Sequence, residues 1–403
     1  MKKLNFVSLF SGAGGLDIGF EDAGWSCSYA SDIDPYAIST IQANQASSRK
    51  YFKDTVIEAA DVRDTRGNEI LTKAGKRKGD IHAIVGGPPC QSWSSAGHQR
   101  GFEDPRGQLF RDYVRLACEL DVRWIVFENV RGLLTARGPD GEPGSALETI
   151  RRALLAAGFH TEVNLLNAAD FGVPQRRVRL FMIGFRRGDH PPFPERTHAR
   201  STDLFSSDIL SWNTLGDCIS GIAPLEPGEI IRPNANLDRQ LEVIPSGSGL
   251  KSPGKKETTR PGGHWGYKQG AFVADLALPA RTVTASAQQD WVRDPLMGIR
   301  RLCPRECAAI QTFPTDWTFS GNTAAQYRQI GNAVPAKLAE RVAGALSDHI
   351  SLGLQFKNAR ETRNELLPLQ DSLRAAIDYT KRDELRNGES RKQAPSRRRT
   401  RTA

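Results

Sequence analysis

Long apolar runs are missing from this chain of 403 residues. No stretch approaches the roughly 18 consecutive apolar residues of a membrane-spanning helix, so a span of that kind is excluded. Cysteine is scarce: six residues, Cys27, Cys90, Cys118, Cys218, Cys303 and Cys307, too few for a disulfide framework. No C-x-x-C pair occurs, and Cys303/Cys307 lacks the second ligand pair of a thiolate zinc site, so no metal is expected. The first ten residues hold a short apolar stretch but no small-residue cleavage site, and Gly12, Gly14 and Gly15 follow at once. They read as a first strand and not a signal peptide, which predicts a cytoplasmic protein. Wholesale disorder is excluded by 39% hydrophobic and 25% charged residues.

The net charge of +9 is uneven. Residues 381–403 hold nine Lys/Arg against three acids, and the rest is nearly balanced. Such a tail attracts polyanions, and it is also what a solvated, disordered end looks like.

The first third alternates short apolar strands with helical stretches. Strands are predicted at 5–9, 26–30, 81–85, 123–127, 162–166 and 178–184, and helices at 15–23, 35–44, 108–120 and 147–157. Gly158 stands as a C-cap after the last. That alternation predicts an α/β fold with a doubly wound, mostly parallel sheet. From about residue 186 the chain turns rich in Pro, Gly, Ser and Thr and loses periodicity. Regular texture resumes near residue 300, with helices at 304–311 and 335–352. A further helix is predicted at 360–379 and disorder over 381–403. The expected divisions are 1–185, a smaller loop-rich unit at 186–299, a return to the first unit at 300–354, and a polar tail at 355–403.

Several short motifs sit at strand ends. Phe10-Ser11-Gly12-Ala13-Gly14-Gly15-Leu16-Asp17 follows the first strand and opens a helix, where glycine lets backbone approach a ligand. A dinucleotide fingerprint needs glycine at position 17; Asp17 stands there and favours an uncharged or cationic ligand. Asp32 ends the second strand, where an acid commonly holds ribose hydroxyls, and Asp34 before Pro35 suits a helix cap. Gly86-Gly87-Pro88-Pro89-Cys90-Gln91-Ser92 places a cysteine at a strand end, stiffly presented, as a nucleophile would be. Glu128 ends the next strand and could face it. In Gln175-Arg176-Arg177-Val178-Arg179, alternation puts Arg177 and Arg179 on one face, suited to phosphate or carboxylate.

These motifs, with Arg300–Cys307 and Gln329-Ile330-Gly331-Asn332-Ala333-Val334-Pro335, resemble in order the C5-cytosine DNA methyltransferases. The resemblance implies a class I, Rossmann-like methyltransferase fold with S-adenosylmethionine as cofactor, whose cationic sulfonium suits Asp17. Its cofactor contacts would come from Phe10, Ser11, Gly12, Gly14, Gly15, Leu16, Asp32, Ile33, Asp61, Val62, Pro88, Leu109, Asn332 and Val334. Cys90 would attack C6 of cytosine, Glu128 would serve N3, and Arg179, with Arg177 beside it, would stabilise the adduct. The cytosine would be flipped out of double-stranded DNA, under a lid at 92–106. Residues 186–299 would be the target-recognition domain, with Trp265 and Tyr267 among its basic, Gly-rich stretch. DNA contacts are expected from Gln91, Ser92, Ser94, Lys268 and Arg305. The implied enzyme is a prokaryotic monomer acting at the nucleoid, paired with a restriction endonuclease or standing alone. The RNA-methylating branch usually carries a Cys-Phe-Thr triplet, which the target-recognition region lacks. A dead homologue would have lost Cys90, Glu128 or an arginine of the Q-R-R-x-R segment, and none is lost.

Overall fold

The computed structural model describes residues 3–47, 50–89, 108–186, 191–200, 209–251, 253–254, 270–352 and 365–393, with side chains as far as Asp383. Seven strands form the main sheet: β1 (Asn5–Leu9), β2 (Ser26–Asp32), β3 (Val56–Ala59), β4 (Ala83–Gly86), β5 (Trp124–Val130), β6 (His160–Asn167) and β7 (Val178–Phe185). Their order is β3-β2-β1-β4-β5-β7-β6. The first five run parallel, and β7 is antiparallel to both β5 and β6.

Apolar residues fill both faces of these strands, as buried parallel strands require. Along β5, Val126 faces one core, while Ile125 and Phe127 face the other. The first core is covered by α1 (Gly15–Asp22), α8 (Pro304–Ile310), α9 (Thr323–Asn332) and α10 (Ala336–Ser351). The second is covered by α3 (Gly67–Lys73), α4 (Leu109–Glu119) and α5 (Ser145–Ala156). In α4 the buried Phe110, Tyr113, Leu116 and Ala117 repeat at helical spacing. Helix α2 (Pro35–Ser47) links β2 to β3, and the Asp34 carboxylate accepts the Tyr36 N–H at its start, the expected cap.

Between β7 and α8 lies a smaller region of short elements. It contains a two-stranded pair, β8 (His198–Ala199) and β9 (Leu210–Ser211), and helices α6 (Leu215–Ser220) and α7 (Ala235–Val243). A four-stranded sheet runs in sequence order: β10 (Ser248–Gly249), β11 (Phe272–Val273), β12 (Trp291–Asp294) and β13 (Gly298–Arg301). The expected division at 299/300 cuts through β13, because the small sheet continues into the Arg300–Cys307 motif.

The carboxyl-terminal expectation is corrected. The helix there is α11, Asp371–Gln393, not 360–379, so helix reaches into the stretch expected to be disordered. Leu373 is buried in the second core, and Ala376 and Ile377 pack against it. That i, i+3, i+4 stripe anchors an otherwise polar helix. Among the described residues no helix is long and apolar enough to cross a membrane.

Candidate active site

The parallel strands bring the carboxyl ends of β1, β2, β3, β4 and β5 to one edge, together with the amino end of β7. Strand order reverses between β1 and β4, the switch point where open α/β sheets bind ligands. The motifs singled out in the sequence therefore converge. Phe10 and Gly12 both take positive φ, 57° and 54°, and the turn is tied back by two bonds. The Ser11 N–H donates to the Ser31 carbonyl at 3.0 Å, and the Gly12 N–H donates to the Asp32 carboxylate at 2.8 Å. Space beside Gly12 is open: nothing lies within 4 Å of where a Cβ would be. Gly14 caps α1 with φ 86°.

The close approach at Gly15 brings the far end of the chain here. A Cβ on Gly15 would lie 2.4 Å from the Val334 carbonyl oxygen, and one on Gly19 2.3 Å from that of Ala336. Helices α1 and α10 pack backbone to backbone, which sets exposed Asn332 and buried Val334 beside the glycine turn. Ile33, next to Asp32, is 68% exposed, an apolar side chain open to a flat ligand. Asp61 is held by Arg63 in an ion pair of 2.5 Å, while Val62 beneath it is buried. Leu109 opens α4, and Pro88 accepts from the Asn129 side chain at 3.1 Å.

Across the switch point, Glu128 leans against Gly87. A Cβ at Gly87 would come within 2.7 Å of the Glu128 Oε2, so only glycine leaves the carboxyl its place. Arg179 Nε lies 3.2 Å from Glu128 Oε1. Burial raises the Glu128 carboxyl above the usual carboxylate range, and the charges of Arg179 and Arg177 oppose that rise. A carboxyl so placed holds a proton more readily than a free one and can hydrogen-bond through it.

A model of the C-5 cytosine-specific DNA methylase family matches residues 4–348. This chain belongs to that family. Type II methyltransferase M1.HphI of Haemophilus parahaemolyticus is 32% identical over 351 residues, 85% of this chain and 86% of that protein. M.NgoPII of Neisseria gonorrhoeae is 30% identical over 362 residues, 85% of this chain and 95% of that protein. Among solved structures, a mutant of Spodoptera frugiperda DNMT2 superposes with a TM-score of 0.60 at 17% identity, covering 86% of this chain and all of that one. That likeness concerns the Rossmann-like fold alone. The enzyme is a DNA (cytosine-5-)-methyltransferase.

Against the family's motif order, three expectations need correction. Arg177 does not share the partly open face of Arg179. It is 1% exposed, and its guanidinium donates to the carbonyls of Val283 at 2.9 Å, Gly331 at 2.8 Å and Ala333 at 2.8 Å. It is a positioning residue that ties β7 to the segments at 283 and 331–333. Arg305, expected at DNA, is joined to Glu229 at 2.6 Å and to the Pro224 carbonyl at 2.9 Å, which braces α8 against the small region. Asp17 does not face a ligand: it is wholly buried under the glycine turn, and burial pushes its carboxyl up to about 7.

Two residues without an assigned role complete the Arg177 clamp. The Gln175 side chain donates to Gln311 at 2.7 Å and accepts the Val283 N–H at 2.8 Å. Gln311 donates to the carbonyls of Ile330 and Ala333. Both glutamines are completely buried. Gln175 was visible in the Q-R-R-x-R motif; Gln311 carried no signal beyond its place before Phe313. Cys90, Gln91, Ser92, Ser94, Lys268, Trp265, Tyr267 and the expected lid at 92–106 lie outside the described residues.

Proposed function

We propose that this enzyme methylates C5 of a flipped-out cytosine in a short duplex sequence, through a covalent bond between Cys90 and C6. The observation that carries the reading is the buried Glu128–Arg179 pair, held against Gly87 three residues before Cys90. C5 of cytosine is a poor nucleophile. Attack of the Cys90 thiolate at C6 makes it enamine-like, provided the charge passed to N3 and O2 is neutralised. Glu128, with its raised affinity for a proton, supplies one at N3. Arg179 carries the charge at O2. Gly87 keeps Glu128 in place, and Arg177 fixes the start of the strand that presents Arg179.

The crevice fits S-adenosylmethionine. The turn at Gly12 is open, Asp32 and Asp61 present carboxylates suited to hydroxyl and amino hydrogens, and Ile33 offers an apolar face. Phe10, Ser11, Gly12, Gly14, Gly15, Leu16, Asp32, Ile33, Asp61, Val62, Pro88, Leu109, Asn332 and Val334 would hold it. When bound, it supplies an electrophilic methyl group on a cationic sulfonium. Loss of the C5 proton and departure of the thiolate then complete the exchange.

DNA contacts from Gln91, Ser92, Ser94 and Lys268 belong to the same reading, as does recognition of the target by residues 186–299. So does a monomeric state, and so does pairing with a restriction endonuclease, the last supported by the Type II names of the relatives. Bisulfite sequencing of plasmid from a methylation-deficient host expressing the protein tests the core claim. Protected cytosines in one short motif, absent with Cys90→Ala, are expected. No protected cytosine anywhere overturns it and makes tRNA the next substrate to offer.

A further inference from the structure

A cavity of about 210 Å³ opens where the small region meets the amino end of β7, and three arginines, Arg176, Arg200 and Arg281, reach its wall. One carboxylate, Asp275, lines it with the three guanidiniums. We propose that this cavity grips a backbone phosphate of the DNA strand that carries the target cytosine. The inference rests on the function proposed above and adds to it a phosphate-binding site outside the catalytic pair.

The walls are built rather than merely charged. Arg281 lies over the Phe272 ring at 4.1 Å and is paired with Asp290 at 3.6 Å, which fixes the plane of its guanidinium. The Arg176 N–H donates to the Ala280 carbonyl at 2.8 Å, and the Thr282 hydroxyl donates to the Arg176 carbonyl at 2.9 Å. Arg176 and Arg281 therefore sit on neighbouring backbones in fixed register. Trp212, a further wall, is held by its indole N–H to Asp170 at 2.9 Å. Arg200, exposed just after β8, closes the set from the small region.

Size and place choose the ligand. One enclosed water needs on the order of 10–15 Å³ of cavity space, so a cavity of about 210 Å³ has room for a hydrated phosphate. Guanidinium forks match phosphate oxygens. Arg176 stands three residues before Arg179, about 10 Å along extended chain. A base seated against Glu128 and Arg179 has phosphates of its own strand within that reach. A phosphate held there would carry no sequence information; it would fix register and steady the extruded nucleotide.

The test uses the full chain and a duplex carrying the sequence found by bisulfite mapping. Affinity is measured by anisotropy between 50 and 200 mM salt for the unaltered protein, Arg200→Gln, Arg200→Lys and Arg176→Gln/Arg200→Gln. We expect the double variant to bind several-fold more weakly, with a slope of log affinity against log salt shallower by about one. Arg200→Lys should restore most of the slope, and S-adenosylmethionine affinity should stay unchanged throughout. In a second series, single phosphates around the target are replaced by neutral methylphosphonate. One position on the target strand should weaken the unaltered protein and affect Arg176→Gln/Arg200→Gln much less. An unchanged slope, or equal sensitivity of both proteins at every position, overturns the clamp. Absence of DNA affinity in the unaltered protein overturns the proposed function itself, and the clamp with it.

Discussion

The main sheet and the small region are held together by different chemistry. The sheet is sandwiched between two apolar cores, with side chains such as Phe6, Val7, Leu9, Ile84, Val85 and Val126 fully buried. The small region has one separate cluster of its own among the described residues, Leu241, Ile244, Val273 and Trp291. Arginines fasten what surrounds it. Arg293 donates to the carbonyls of Leu241, Glu242 and Ile244 at the end of α7. Arg301 lies over Trp291 at 4.5 Å. Arg300 is bound by Glu306 at 2.8 Å and by Asp294 at 2.9 Å. Non-directional burial sets the sheet, whereas pointed, charge-assisted bonds set the small region. The second kind of scaffold needs little core.

Arg177 joins the two regions, and its removal is the hardest test of the contrast. Arg177→Met leaves the carbonyls of Val283 and Gly331 without their donor and takes one of two donors from Ala333, at about 1 kcal/mol or more for each orphaned carbonyl, so a loss of about 2–3 kcal/mol is expected. Thermal melting should register a fall in Tm of about 2–4 °C, the unfolding entropy of so long a chain being large. A loss under about 1 kcal/mol would mean that the apolar cores alone hold the strand, and the contrast would fail. Arg293→Ala should cost less, about 1–2 kcal/mol, because the carbonyls at the end of α7 can turn to water. Its effect should stay local. Amide hydrogen exchange should quicken over 235–250 and remain slow in β1, β4 and β5. Faster exchange throughout would show one cooperative unit instead of two.

The alternating strands and glycine turns of the sheet were legible because each carries a local signal. β1, β2, β5 and β7 are short apolar runs bounded by turn residues, and Gly158 stops α5 with φ 85°. β3 escaped notice because it is four residues long and half-exposed. Helix α9 went unread although Asn322 is a cap, its side chain accepting the Ala325 N–H. The Arg177 error has a definite cause. Alternation holds only inside a strand, and β7 begins at Val178, so positions 177 and 179 share no pleat. The partners of Arg177 lie more than a hundred residues away, and that of Arg305 lies 76 away. No window of local sequence contains them. In the candidate site, Glu128 and the glycine turn were legible for the opposite reason: strand ends deliver them to the same edge whatever the distant packing.

Asp17 sharpens the contrast from the other side, because it is a buried charge-bearing group in the region that relies on apolar burial. Among the described residues neither carboxyl oxygen makes a well-aligned hydrogen bond. Burial raises its pKa to about 7, the Ser8 hydroxyl opposing and Glu21 adding to the rise. In the unfolded chain the same group titrates near 3.9. A folded pKa above the unfolded one means that the native state binds the proton more tightly. Native stability from this group is intact below about pH 4 and declines as pH rises to about 7. Asp17→Asn cannot ionise, so it should remove that decline. Between pH 5 and pH 8 the variant should lose less Tm than the unaltered protein, a relative gain of about 1–3 kcal/mol. Comparing slopes rather than absolute Tm cancels any fixed effect of the amide. Equal losses in the two proteins would show that Asp17 is held as an ion, its contribution constant above about pH 5, and that a charged fastening lies inside the apolar sheet after all.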